Sequence, residues 1–210
     1  MPQEKDWSTG AAYRSEALKN ASTGVSRASK LEEVITDLDI ELAEPPHPRQ
    51  EAAKALLEGL CRDYDLRPYF FTKKIRIQHK VMAHSHPVLT LNTLHLDAPP
   101  EFLAQFLHEQ IHWHLCNRND QTHSAIRATK AEFPDVPVGL PEGSRTEHST
   151  RLHLIVNYLE WKALASYIGV QEARTIIENK KYYTWIYQTV LARETYVADL
   201  IQAYALDIPT

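Results

Sequence analysis

Apolar residues recur at intervals of three to four in several stretches of the chain, the period of an α-helix. The strongest instance is FLAQFLHEQIHWHLC at 102–116, where Leu103, Leu107, Ile111 and Leu115 follow at intervals of four and Phe102, Phe106 and Trp113 form a second stripe. A helix that is apolar around most of its circumference is buried, which makes this one the centre of the domain. Asp97 has the chemistry of an N-cap, and Pro99 and Pro100 suit a first turn, where missing amide donors cost nothing. The helix is therefore expected over about 98–116.

The same period predicts helices at about 49–64, with Ala52, Ala53, Leu56, Leu57 and Leu60 on one face, and more weakly at about 124–133. A strongly apolar helix should reach about 168 and stop at Gly169, with Ser144 and Glu147 at capping-box spacing and Ser149 as a second candidate cap. Further helices are expected at about 171–179 and, as one longer element, at about 182–205. A short helix at about 31–42, passing into an extended piece near Ile40, is ended by the run EPPHP. Strict alternation marks two strands, about 70–81 and 88–96, in which Ile75, Ile77, Leu89 and Leu91 alternate with polar residues. The segment FPDVPVGLPEG is too rich in proline for regular structure and is expected to flank a cleft. Residues 1–29 lack periodicity. The expected organisation is a polar arm at 1–45 and one α+β domain at 46–210, with helices on a small, mostly antiparallel sheet.

Against this apolar background, His108, Glu109 and His112 stand out as HExxH. Residues four apart on a helix share a face, about 40° apart around the axis, so His108 and His112 can hold one ion, with Glu109 beside them as a base. The apolar helix before Gly169 carries a polar strip of its own, formed by His153, Asn157 and Glu160. Buried helices seldom carry unpaired acids. Glu160 is thus expected as third ligand, or else as half of a buried ion pair with an Arg or Lys. His153, about 10 Å along the axis from Glu160, is expected to hydrogen-bond substrate during catalysis or to orient a ligand, or else to be a satisfied core histidine. His79, His84 and His86 lie near the turn between the two strands without a carboxylate at ligand spacing, and read as loop and edge residues near the cleft. Tyr182, Tyr183 and Tyr187 read mainly as aromatic packing, with a phenol for an oxyanion as the alternative.

Composition narrows the classes. The 210 residues are 43% hydrophobic, enough for a real core. A net charge of -4 argues against a nucleic-acid surface, and the cluster Lys73, Lys74, Arg76, His79 and Lys80 reads as a solvated strand face. Two cysteines, Cys61 and Cys116, are too few for a disulfide framework. Neither an apolar run of membrane-spanning length nor a basic-then-apolar leader is present, so a cytoplasmic protein is expected.

With HEQIH at 108–112 and EWKA at 160–163 on an apolar helix, the chain resembles the gluzincin division of the zincin metallopeptidases, and in its order of elements the compact minigluzincins. The resemblance covers about 48–168. It implies a Zn2+ ion held by His108, His112 and Glu160, Glu109 as general base, and a peptide or protein substrate. The leading expectation is a zinc-dependent hydrolase in which the strand near 88–92 pairs with extended substrate. A zincin-derived domain that binds zinc without turnover is the alternative. A two-His-one-carboxylate iron site would need the same ligands but has no use for Glu109.

Overall fold

In the computed structural model, which describes residues 37–209, three short strands lie side by side in the order β1 (Asp39–Leu42), β2 (Lys74–Ile77), β3 (Leu89–Leu91). The expectations for residues 1–36 lie outside the described residues. β1 is the extended piece expected near Ile40, and although it falls within the segment set apart as an arm, it forms one edge of the sheet.

Both pairings are parallel, Asp39 to Leu42 against Lys74 to Ile77 and Ile75 to Ile77 against Leu89 to Leu91, which corrects the mostly antiparallel sheet. The connections explain the difference. Parallel neighbours need a crossover, and helix α1 (Pro48–Asp63) supplies one between β1 and β2. Between β2 and β3 the chain does not fold back in a tight hairpin. It leaves the sheet, turns at Lys80 with φ 57°, and re-enters beside β2 in the same direction. All that remains of a hairpin is one antiparallel bridge between His84 and Thr90. The basic residues of β2 and its flank are answered by acids near β1: Lys73 meets Asp37 at 3.2 Å and Arg76 meets Glu41 at 3.4 Å.

The helices are α2 (Pro99–Cys116), α3 (Asn119–Glu132), α4 (Glu147–Ile168), α5 (Val170–Glu178), α6 (Thr184–Ala192) and α7 (Glu194–Ala203). Ala98, not Asp97, is the N-cap of α2, and no side chain caps it. With Pro99 and Pro100 in the first turn, two of the amides a cap would serve do not exist. Thr146 caps α4 by accepting from the Ser149 amide at 3.1 Å, in place of Ser144 or Ser149. Ser144 bonds instead to Ser149 Oγ and, through its amide, to Thr150 Oγ1. Gly169, at φ 89°, ends α4 in a conformation that disfavours other residues.

The single helix expected over 182–205 is two, broken at Arg193. Trp185 and Tyr196 both set ring edges against Phe133, at centroid distances of 6.1 and 5.5 Å. In a straight helix they would stand about 16 Å apart along the axis, too far to share that ring. Arg193 fixes the corner through an ion pair with Glu132. The core is continuous, from Ile75, Ile77, Leu89 and Leu91 of the sheet through α2 to Ile155 and Leu164 of α4 and Ile186 and Val190 of α6. Among the described residues no helix is long and apolar enough to cross a membrane.

Candidate metal centre

α2 and α4 pack antiparallel, since His108 faces Glu160 while His112 faces His153. This lays the His108–His112 face of one helix over the polar strip of the other. The rings of His108, His112 and His153 form a nearly equilateral group, with centroids 5.0, 5.1 and 5.6 Å apart. One nitrogen of each lies within 4.8 Å of the others.

Two of the three remaining ring nitrogens are held from outside. His108 Nδ1 is 2.8 Å from Glu160 Oε2, and His153 Nδ1 is 2.7 Å from the carbonyl of Ser149. If each Nδ1 carries the proton it donates, each Nε2 presents a lone pair inward. His108 Nε2 and His112 Nε2 are 3.3 Å apart. Two nitrogens bound about 2.0–2.1 Å from one tetrahedral ion lie about 3.3–3.4 Å apart, so the pair already has the spacing of two ligands. Anchoring the outer nitrogen to a carboxylate or carbonyl is the usual support of a ligating histidine.

Glu160, expected as third ligand, is fully buried and engaged elsewhere. Its Oε2 accepts from Tyr187 Oη at 2.8 Å as well as facing His108, and Lys180 Nζ is 3.9 Å from its Oε1. The residue standing with His108 and His112 is instead His153, and Glu160 orients His108 from behind. The axial distance that argued against His153 and Glu160 sharing an ion is real, but the His108 ring spans it. Lys180 is also the cation that the ion-pair reading of Glu160 required. Neither Lys180 nor Tyr187 was legible as its partner, although a buried acid on an apolar helix was signal enough that partners had to exist.

The site's electrostatics follow from burial and these contacts. Burial opposes ionisation of Glu160, but the hydrogen bond and charge of His108, with Lys180 and Tyr187, outweigh it and lower its pKa. Burial likewise opposes protonation of His108, yet the hydrogen bond and charge of Glu160 overcome it and raise the pKa. His153 is pushed down to about 4, first by burial and then by the neighbouring charge of His108, and His112 is lowered by the same two causes.

Glu109 is buried beside the group, its carboxylate takes no hydrogen bond or ion pair among the described residues, and burial raises its pKa. The charges of His108 and His84 oppose that rise without forming an ion pair with the carboxylate. Tyr183 sets its ring 4.5 Å from His153 and parallel to His108 at 6.4 Å. Its backbone is left-handed, φ 59°, a conformation disfavoured for a bulky residue. Tyr182, by contrast, is exposed.

The histidines between β2 and β3 do not join this group. His79 stacks on His47 at 4.0 Å and its Nδ1 meets Thr93 Oγ1, His84 Nδ1 meets the Met82 carbonyl, and His86 stacks on Trp113 at 4.4 Å. Trp113 Nε1 donates to the Ser85 carbonyl at 2.8 Å, fastening this connection over α2. The backbone of His84 also takes both outward hydrogen-bonding groups of Thr90, and Gln105 Oε1 accepts from the amide of Asn92. The β3 edge expected to receive substrate is therefore filled by the chain itself. Cys116 is exposed outside the group, and the Cys61 thiol is buried and pushed up to about 12. Compared with protein-family models, with curated proteins and with solved structures, the chain matches none.

Proposed function

We propose that this protein is a zinc-dependent hydrolase whose ion is held by His108, His112 and His153. The observation that carries the reading is the convergence of three imidazoles whose outer nitrogens, at His108 and His153, are committed to Glu160 and to Ser149. Three nitrogen ligands suit zinc and leave a fourth position open. They do not suit the two-His-one-carboxylate iron set, whose carboxylate is here turned to the back of His108.

When bound, the ion supplies Lewis acidity, polarising a carbonyl and making water more acidic. Glu109 takes the proton of the attacking water at its carboxylate and returns it to the leaving group. Its raised pKa brings it closer to neutral pH, where a general base works best. Tyr183, whose ring packs on His153 and whose hydroxyl is hydrogen-bonded with Ser144, is the candidate phenol for the negative charge growing on the substrate oxygen. Glu160, with Tyr187 and Lys180, keeps the His108 ring in place.

Peptide as the substrate rests on the HExxH resemblance. The filled edge of β3 favours a second reading, a domain that holds zinc without cleaving peptides, because strand addition has no free edge at Thr90. Digestion of an unbiased peptide mixture by the zinc-loaded protein and by Glu109→Gln separates the two. Cleavage by the wild type that is lost in Glu109→Gln supports the hydrolase. Stoichiometric zinc with no cleavage by either protein overturns it in favour of the second reading.

A further inference from the structure

We propose that the cleft between α3 and the start of α4 is a binding site for a small phosphate-bearing ligand. The cleft has a volume of about 440 Å³, within the range of small-molecule sites, and lies outside the metal centre. Arg151 is among its lining residues and is 1% exposed. The guanidinium donates to the carbonyls of Phe133 and Pro134, its Nε has no partner, and no carboxylate pairs with it among the described residues. Carbonyls satisfy hydrogen bonds but do not cancel a charge. A buried cation without a counter-ion is costly enough that proteins seldom leave one so.

The walls supply more of the same sign. Arg127 and Lys130, with His123, lie on one face of α3 at helical spacing, and neither Arg127 nor Lys130 has an ion-pair partner among the described residues. His148 stands across the cleft, its ring 5.4 Å from that of His123. On that side α4, 22 residues long, begins, and its cap, the Thr146 side chain, serves only the Ser149 amide. The amides of Glu147 and His148 are left as the orphan donors of a helix start, where the dipole also favours an anion. Glu147 is the one acid in the lining, against three permanent cations, in a chain whose net charge is -4. A phosphate group spreads several acceptor oxygens over the cleft and can take a guanidinium bidentately while it also accepts from ammonium and amide donors, a geometry that a single spherical halide ion does not offer.

Calorimetric titration of the protein with inorganic phosphate, against chloride at matched ionic strength, tests this. Saturable phosphate binding is expected, weakened about tenfold or more in Arg127→Ala/Lys130→Ala, whose exposed side chains the fold does not need. Glu147→Gln should tighten it. His112→Ala, which removes a residue of the metal centre, should leave it unchanged. Phosphate no better than chloride, binding that survives the double substitution, or binding lost in His112→Ala would overturn the proposal. Phosphoserine binding as tightly as inorganic phosphate identifies a monoester as an acceptable ligand, whereas rejection of phosphoserine narrows the site to the free ion.

Discussion

Two sets of three histidines invite comparison. His79, His84 and His86 are close in sequence and lie on an irregular connection, where each ring turns to its own neighbour: Thr93, the Met82 carbonyl, Trp113. His108, His112 and His153 come from two helices and are far less compact in sequence, yet their nitrogens meet within 4.8 Å. Proximity along the chain is thus a poor guide to which histidines converge. Rigid elements that fix both the position of the ring and the partner of its outer nitrogen are a better one.

The comparison can be broken most sharply by metal content. His108→Ala and His112→Ala are each expected to abolish stable zinc binding, because two remaining ligands do not close a tetrahedral site, whereas His79→Ala, His84→Ala and His86→Ala should leave one ion per chain. Elemental analysis of the five purified variants decides it. Next in size, Glu109→Gln should keep the metal and the fold while lowering hydrolysis by about 10²–10⁴-fold, since the amide preserves shape but accepts no proton. Initial rates on a cleaved peptide measure this.

Acid should act through the three-imidazole group as well. His153, at about 4, and His112 are held neutral in the folded protein, while an unfolded histidine titrates near about 6.5. Above that value neither state carries the proton and there is no contribution. As the pH falls below it, the unfolded chain gains protons that these folded histidines refuse, so stability declines, for His153 until about pH 4. His108 acts with the opposite sign, because its raised pKa adds stability below the unfolded value that is lost as the pH rises through the folded one. His79, His86, His95 and His114 are lowered as well, and the contribution of His108 is already complete below the unfolded value, so the Tm of metal-free protein is expected to fall between pH 6.5 and 4, and His153→Gln should flatten the fall. A Tm that rises on acidification would contradict it. Smaller still, Tyr187→Phe removes one hydrogen bond from Glu160 and should weaken zinc binding by about tenfold or less, the lower end for an outer partner of a ligand.

The helices were legible because burial imposes its period on the sequence: Leu103, Leu107, Ile111 and Leu115 could hardly belong to another element. The direction of β3 was not, since it depends on how the chain between His79 and Val88 crosses back, and alternation in Leu89 and Leu91 is the same in either sense. The break at Arg193 was hidden for a similar reason, arising from a ring contributed by the end of α3. At the site, HExxH declared itself, and the polar strip on α4 was found with both His153 and Glu160 on it. What the strip could not disclose was its axial register against α2. That register decides whether the carboxylate or the imidazole reaches the inner nitrogens of His108 and His112.

The most direct measurement is therefore a chelator competition titration of zinc against wild type, His153→Ala and Glu160→Gln. The account predicts that Glu160→Gln loses about 10–100-fold in affinity, as an outer partner does, and that His153→Ala loses considerably more. If Glu160→Gln instead loses the metal and His153→Ala retains it within about tenfold, His153 is not a ligand and the three-imidazole centre is wrong.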